Sequence, residues 1–102
     1  MLKDFFLGFI KIHILYHASK EAVYGAGLIR ELARHGYQIS CGTLYPMLHR
    51  LFENGYLTSK NKNVDGKIRK YYRITPNGRK ALKECRHKIH ELVDEVIEKK
   101  CH

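Results

Sequence analysis

At 102 residues the chain is sized for one small domain, and so small a domain buries a modest share of its surface, so spare apolar residues imply a partner chain. The net charge of +9 is concentrated between Lys60 and Lys88, where eleven lysines and arginines (60, 62, 67, 69, 70, 73, 79, 80, 83, 86 and 88) meet only Asp65 and Glu84, leaving the rest of the chain neutral. Three scattered cysteines (Cys41, Cys85, Cys101) with no C-x-x-C spacing exclude a disulfide framework and imply a reducing cytosol, and no secretory leader or bilayer-length apolar run is readable, so a soluble, cytoplasmic protein without membrane contact is expected.

Residues 3–17, KDFFLGFIKIHILYH, are apolar on more than one face, and their length favours a helix over a strand. Such a helix is buried on several sides, more than one small core supplies. The polar run from His17 to Glu21 breaks the pattern. The second helix, YGAGLIRELARHG, points Leu28, Ile29, Leu32 and Ala33 inward and Arg30, Glu31 and Arg34 outward, with Gly36 placed for a left-handed cap. Tyr37-Gln38-Ile39 alternates as a minimal strand would.

A third helix is predicted from about Thr43 to Asn54, with Thr43 as N-cap and Pro46 in the first turn, where a missing N–H costs nothing. Leu44, Leu48, Leu51 and Phe52 recur at core spacing, leaving Tyr45, His49, Arg50 and Glu53 outside, and Gly55 stops the helix. Next comes a hairpin turning on Asp65-Gly66. That turn puts Leu57 opposite Ile74, Ser59 opposite Tyr72 and Lys62 opposite Arg69. The apolar pair lies at the base and the cationic pair near the tip, which is the pattern of a wing. The last helix starts at Thr75-Pro76, an N-cap followed by proline at the first helical position. Leu82, Cys85, Ile89, Leu92 and Val96 then follow heptad steps over about two heptads and read as a short dimerisation seam.

The expected fold is therefore mainly α with a small β-hairpin: a winged helix-turn-helix over residues 1–78, and a C-terminal dimerisation helix over 79–102, in one compact whole. A basic segment alone is as well explained by solubility as by phosphate. Its place on a hairpin directly after a helix decides for nucleic acid. Candidate contacts on the third helix are Thr43, Tyr45, His49 and Arg50, with Gly42 allowing close backbone approach to phosphate and Tyr24 at the start of the second helix. On the wing they are Lys62, Lys67, Arg69, Lys70 and Tyr71, with Arg73 beside them. Tyr72 shares a face with Ile74 and packs, whereas Tyr71 faces away with Arg69. Whether Tyr45 and His49 meet bases or phosphates stays open.

His13 and His17, like His90 and Asp94, have a spacing that can hold zinc, but a structural site needs four ligands and no such cluster is readable. Cys101-His102 lies on a terminus expected to fray. No metal or other cofactor is expected, and His13 reads as an interface residue. No paired carboxylates, nucleophile elbow or glycine-rich phosphate loop point to catalysis.

YGAGLIREL, SCGTLYPMLHRLFENGYL and DGKIRKYYRITPNGRKAL resemble the PadR family of bacterial transcriptional regulators over roughly residues 5–85. The resemblance implies a cytoplasmic, homodimeric winged-helix repressor, released by a small-molecule effector, that binds a near-palindromic operator in double-stranded DNA. Its first and last helices would build the dimer through Phe5, Phe9, Leu82, Cys85, Ile89, Leu92 and Val96. The short last helix is similar to the family's smaller subtype. Many members read S-P-G-T-L-Y where this chain has Ser40, Cys41, Gly42, and some small members clasp flat aromatic drugs between tryptophans, of which this chain has none. Phe5, Phe6 and Phe9 are the candidates for lining a pocket for a small aromatic or apolar effector, with core packing the plainer role for most of them. The alternative from another class is a winged helix used as a protein–protein or assembly module, its basic wing meeting an acidic partner.

Overall fold

The computed structural model describes residues 1–97. Its elements follow in the order α1 (Leu2–Lys20), α2 (Gly25–Arg34), α3 (Cys41–Glu53), β1 (Leu57–Val64), β2 (Lys67–Ile74) and α4 (Pro76–Val96). This is a winged helix-turn-helix, with α2 and α3 as the helix pair and β1–β2 as the wing.

One core joins these elements. Ile14, Leu32, Leu44 and Leu48 are wholly buried, and Ile10, Leu15, Ala18, Leu28, Met47, Leu57, Tyr72 and Leu82 surround them. The first helix runs past His17 to Lys20, because Ala18 belongs to the core while Lys20 and Glu21 reach solvent. The polar run thus changes the helix's outer face without ending it. Tyr37 to Ile39 form no strand. The wing's third partner is instead Val23, just ahead of α2, which exchanges both backbone hydrogen bonds with Tyr72 at 2.8 and 2.7 Å.

The helix after that linker starts earlier than its sequence predicts. Ser40 is the N-cap residue, and its carbonyl accepts the amides of Thr43 and Leu44 at 3.1 and 2.9 Å. Thr43 is therefore inside the first turn and not the cap. Pro46 falls in the second turn, where its missing N–H leaves the Gly42 carbonyl without the usual helical donor. Phe52, expected in the core, is 42% exposed, and Met47 is buried in its place. At about 100° per residue Phe52 and Met47 flank the stripe of Leu44, Leu48 and Leu51 on opposite sides, and it is the Met47 flank that the core covers.

The hairpin register is the one a two-residue turn dictates, with Leu57 opposite Ile74, Ser59 opposite Tyr72 and Lys62 opposite Arg69. Asp65 and Gly66 both take positive φ, 53° and 82°, which matches the twist of the flanking strands. At the base, Thr75 caps α4: its hydroxyl accepts from the Gly78 amide at 3.0 Å and donates to the Gly55 carbonyl at 2.6 Å. Gly78 is buried there. A Cβ at that position would lie 2.3 Å from the Tyr56 carbonyl oxygen and 2.6 Å from Ile74 Cγ1.

The last helix packs its first half on this core, so Leu82, only 4% exposed, belongs to the chain's own interior and is not free for a seam between chains. The division at residue 78 falls inside the first turn of α4. Cys101 and His102 lie outside the described residues. Gly78→Ala should lower unfolding free energy by about 1–3 kcal/mol, because backbone, not a flexible side chain, must move to admit the methyl. Urea unfolding of the variant measures this, and an unchanged midpoint would contradict the close approach.

Candidate nucleic-acid interface

The N-terminal ends of α2 and α3 open on the same side as the wing. Between them runs a cleft of about 610 Å³, lined by Tyr24, Gly25 and Tyr45 on the helices and by Asp65, Lys67, Arg69 and Lys70 on the hairpin. Its wing edge is cationic and its helix wall aromatic, the combination that suits a phosphate chain lying over sugars and bases.

An aromatic–guanidinium stack ties the two sides together. The Arg69 guanidinium sits 4.1 Å from the centre of the Tyr24 ring, and the Tyr71 ring meets the same tyrosine edge-on at 5.4 Å. Arg69 also donates to the Tyr71 hydroxyl at 3.4 Å, a bond that raises the guanidinium's already high pKa. Lys62 lies over Tyr71 at 5.6 Å. Arg30 donates to the Tyr24 hydroxyl at 2.8 Å. Strand parity brings Arg69 and Tyr71 to one face of β2, and the Val23–Tyr72 bridge brings that face to the start of α2. Of the predicted contacts, Tyr24, Lys62, Arg69 and Tyr71 therefore form one cluster. Lys67 and Lys70 are exposed along the cleft and pair with no acidic side chain among the described residues.

Tyr45 stands 47% exposed at the mouth of the same cleft. Its ring covers the first turn of α2 so closely that a Cβ on Gly25 would fall 2.5 Å from it. Position 42 is different: a Cβ there would meet only Ser40 Oγ, at 3.8 Å, so packing within the chain does not require glycine. Among the described residues, no acceptor within the chain takes the amides of Cys41 and Gly42, at the exposed start of α3. Cys41 occupies the first helical position, where proline is readily accommodated, and it supplies an N–H that proline lacks. Thr43 shares a hydroxyl contact with Ser40 at 3.3 Å. Farther along, His49 leans back on Glu53, with Nε2 to Oε1 at 3.3 Å, and Arg50 is open to solvent. Gly25 and Arg30 are not legible in the sequence as site residues, because Arg30 has an ordinary place on the outer face of an amphipathic helix and Gly25 acts only through Tyr45.

The remaining predicted residues lie elsewhere. Phe5, Phe9, Cys85, Ile89 and Leu92 line an apolar groove of about 710 Å³ between α1 and α4. Val96 is 59% exposed beyond its end. Phe6 touches the Phe5 ring, at 5.7 Å between centres, but lines a separate recess on the opposite flank with Tyr37, so the three phenylalanines do not enclose one pocket.

Residues 14–84 match the transcriptional regulator PadR-like family. The chain is 49% identical over 96 residues to the transcriptional regulator Rv3488 of Mycobacterium tuberculosis, covering 94% of this chain and 90% of that protein. Its fold is similar to that of a PadR family transcriptional regulator from Eggerthella lenta, with a TM-score of 0.84 and 38% identity over 94% of this chain and 85% of that one. It is likewise similar to a PadR-like transcriptional regulator from Bacillus cereus, with a TM-score of 0.79 and 34% identity over 87% and 88% of the two chains.

The stack makes a quantitative demand. In a double-mutant cycle on random-sequence duplex binding, Tyr24→Ala and Arg69→Ala should be non-additive by about 0.5–2 kcal/mol, since removing either residue also removes what the other gains from it. Strict additivity in fluorescence-anisotropy titrations would mean that Tyr24 does not position Arg69 for the duplex.

Proposed function

The chain belongs to the PadR-like family of transcriptional regulators, and on that footing we propose that it is a homodimeric repressor which reads a near-palindromic operator with α3 and grips the flanking backbone with its wing. It is a regulator, not an enzyme. The observation that carries the reading is the shared cleft, where Arg69 is held over Tyr24 at 4.1 Å beside the exposed start of α3. Thr43, Tyr45, His49 and Arg50 are assigned to the groove-facing side of α3, with phosphate anchored by the free amides at Cys41 and Gly42. Lys62, Lys67, Arg69, Lys70 and Tyr71 are assigned to the backbone.

Dimer formation draws support from the groove between α1 and α4. Phe5 is 49% exposed and Leu92 51%, so the groove leaves large apolar side chains in water that a second copy could cover. A second copy that covers it would display two α3 helices about one helical turn of DNA apart, or a multiple of it. Control by a small aromatic or apolar effector is assigned to the same groove at Phe5 and Phe9, where an intruding molecule would alter the spacing of the two reading heads. The family resemblance, not a closed cavity, supports that last part.

Two measurements divide the roles. Arg69→Ala and Lys70→Ala should weaken operator and random duplex by similar factors and lower the salt slope by about 0.9 for each phosphate that the variant no longer neutralises. Thr43→Ala and Tyr45→Ala should weaken the operator more than random DNA, by about 1–3 kcal/mol for a base contact. A wild-type affinity indifferent to salt would move the basic wing from DNA to a protein partner.

Assembly is tested separately. Leu92→Asp puts a charge in the seam, which cannot be solvated without opening it, and should shift sedimentation from dimer to monomer. Leu92 is half exposed in the single chain, so the variant's own fold should survive, as circular dichroism would report. A wild-type monomer at micromolar concentration that still binds its operator tightly would overturn the twofold arrangement.

A further inference from the structure

Away from the reading head, three histidines that lie far apart in sequence meet at the junction of α1 and α2. His13 and His17 stand one turn apart on α1, and His35 at the C-terminal cap of α2 folds onto them. One imidazole nitrogen from each lies within 4.8 Å of the other two. We propose that His13, His17 and His35 form a three-histidine site for a divalent transition-metal ion of the imidazole-preferring kind, such as zinc.

The geometry needs little adjustment. Zinc–nitrogen bonds of about 2.0–2.1 Å in a tetrahedron set the nitrogens about 3.3 Å apart, within reach of small side-chain rotations. His13 and His35 are already stacked, with ring centres 4.9 Å apart, and His17 lies 6.2 and 6.3 Å from them. His17 Nε2 is buried and has no hydrogen-bond partner, and an orphaned buried nitrogen of this kind calls for an acceptor, a donor or an ion. Partial burial first, then the neighbouring imidazoles of His35 and His17, hold His13 below the usual histidine pKa.

The donor set also selects the ion. Three imidazole nitrogens with no carboxylate among them suit zinc, cobalt, nickel or copper and offer magnesium and calcium nothing. The three ligands leave a coordination position open. The three histidines share a recess of about 280 Å³ with Phe9, Ile12, Leu82, Arg86 and Ile89. Arg86 in that lining favours hydroxide or another anion in the fourth place. The sequence does not reveal the site because only the α1 pair has a recognisable spacing. His35 lies 18 residues beyond His17 and arrives through the packing of α2 on α1.

A bound ion would pin α1, the helix assigned to the dimer, to the turn of the helix-turn-helix. If it thereby changes DNA affinity by some factor, DNA must change metal affinity by the same factor. That consequence rests on the DNA-binding reading; the site itself does not.

The test is a titration of the full chain, stripped of metal by chelator, with cobalt(II) as a spectroscopic stand-in for zinc. One ion per chain should bind, giving the strong visible ligand-field bands of a tetrahedral site and no thiolate charge-transfer band. His35→Ala and His13→Asn should each weaken binding by at least about 10–100-fold, the size seen even when only an outer partner of a ligand is removed. His90→Ala, which removes half of the rival His90–Asp94 pair, should leave it unchanged. His35 is exposed, so its variant decides the matter even if His13→Asn folds poorly. Absence of binding at micromolar cobalt, a thiolate band, weakened binding in His90→Ala, or undiminished affinity in His35→Ala would each overturn the proposal.

Discussion

The geometry of the reading head depends on how the base of the hairpin is fastened to the core. A two-stranded ribbon is marginal in water by itself, so its direction must be imposed from outside. Three constraints impose it. Leu57 and Ile74, a directly opposed pair, are both buried at the base. Thr75 bonds backward to Gly55 and forward to Gly78, so strand end and helix start are held by one hydroxyl. Tyr72 pairs with Val23, which clamps the middle of β2 to the residues that lead into α2. The tip, where Ile68 is 69% exposed and has no core to join, can then project into solvent without losing its aim. Arg69 reaches Tyr24 because the Tyr72 bridge, three residues along, has already brought β2 alongside the chain entering α2.

How much of this is legible in the sequence depends on whether a feature is local. The hairpin register follows from Asp65-Gly66 alone, since a two-residue turn leaves no freedom in pairing. Parity then separates Tyr72 from Tyr71 correctly. The start of α3 is harder to place, because Ser40 and Thr43 are both good capping residues and the proline at position 46 imitates the mark of a first turn. A helix tolerates proline in its second turn when the carbonyl it frees, that of Gly42, lies near the exposed end. Phe52 misleads by size: a large apolar side chain suggests burial, but it and Met47 flank the stripe equally, and only the packing of other elements decides that Met47 is the one covered. The Arg69–Tyr24 stack, the Gly25–Tyr45 approach and the histidine cluster all cross between elements. No spacing rule in one segment reports such contacts.

The fourth helix illustrates how one periodic pattern can serve two purposes. Leu82, Cys85, Ile89, Leu92 and Val96 follow a single heptad rule, which suggests one continuous seam. Burial within the chain falls along that row, from 4% exposure at Leu82 through half-buried Cys85 and Ile89 to 51% at Leu92 and 59% at Val96. The first turns of the helix therefore stabilise the chain's own core, and only the later ones have surface to offer a partner. Substitutions early in the row act on folding and those late in it act on whatever covers the groove.

Charge sets a further condition on that cover. The basic segment divides between the wing and α4, where Arg79, Lys80, Lys83, Arg86 and Lys88 occupy the turns flanking the apolar row. The later turns, where the apolar row has surface to offer, carry Glu91, Asp94 and Glu95 beside Lys88, so charge along that stretch is mixed and presents no field of one sign. On the proposed dimer, burial of Phe5, Phe9, Ile89 and Leu92 would supply the attraction, with the long cationic stems lying along the seam and their heads in water. Lys88 is already paired with Glu91 at 3.5 Å. A contact of that kind would hold at high salt, while the wing's proposed grip on phosphate would weaken. Under the proposed function, assembly and DNA affinity would thus part as ionic strength rises, because apolar surface carries one contact and cations constitute the other.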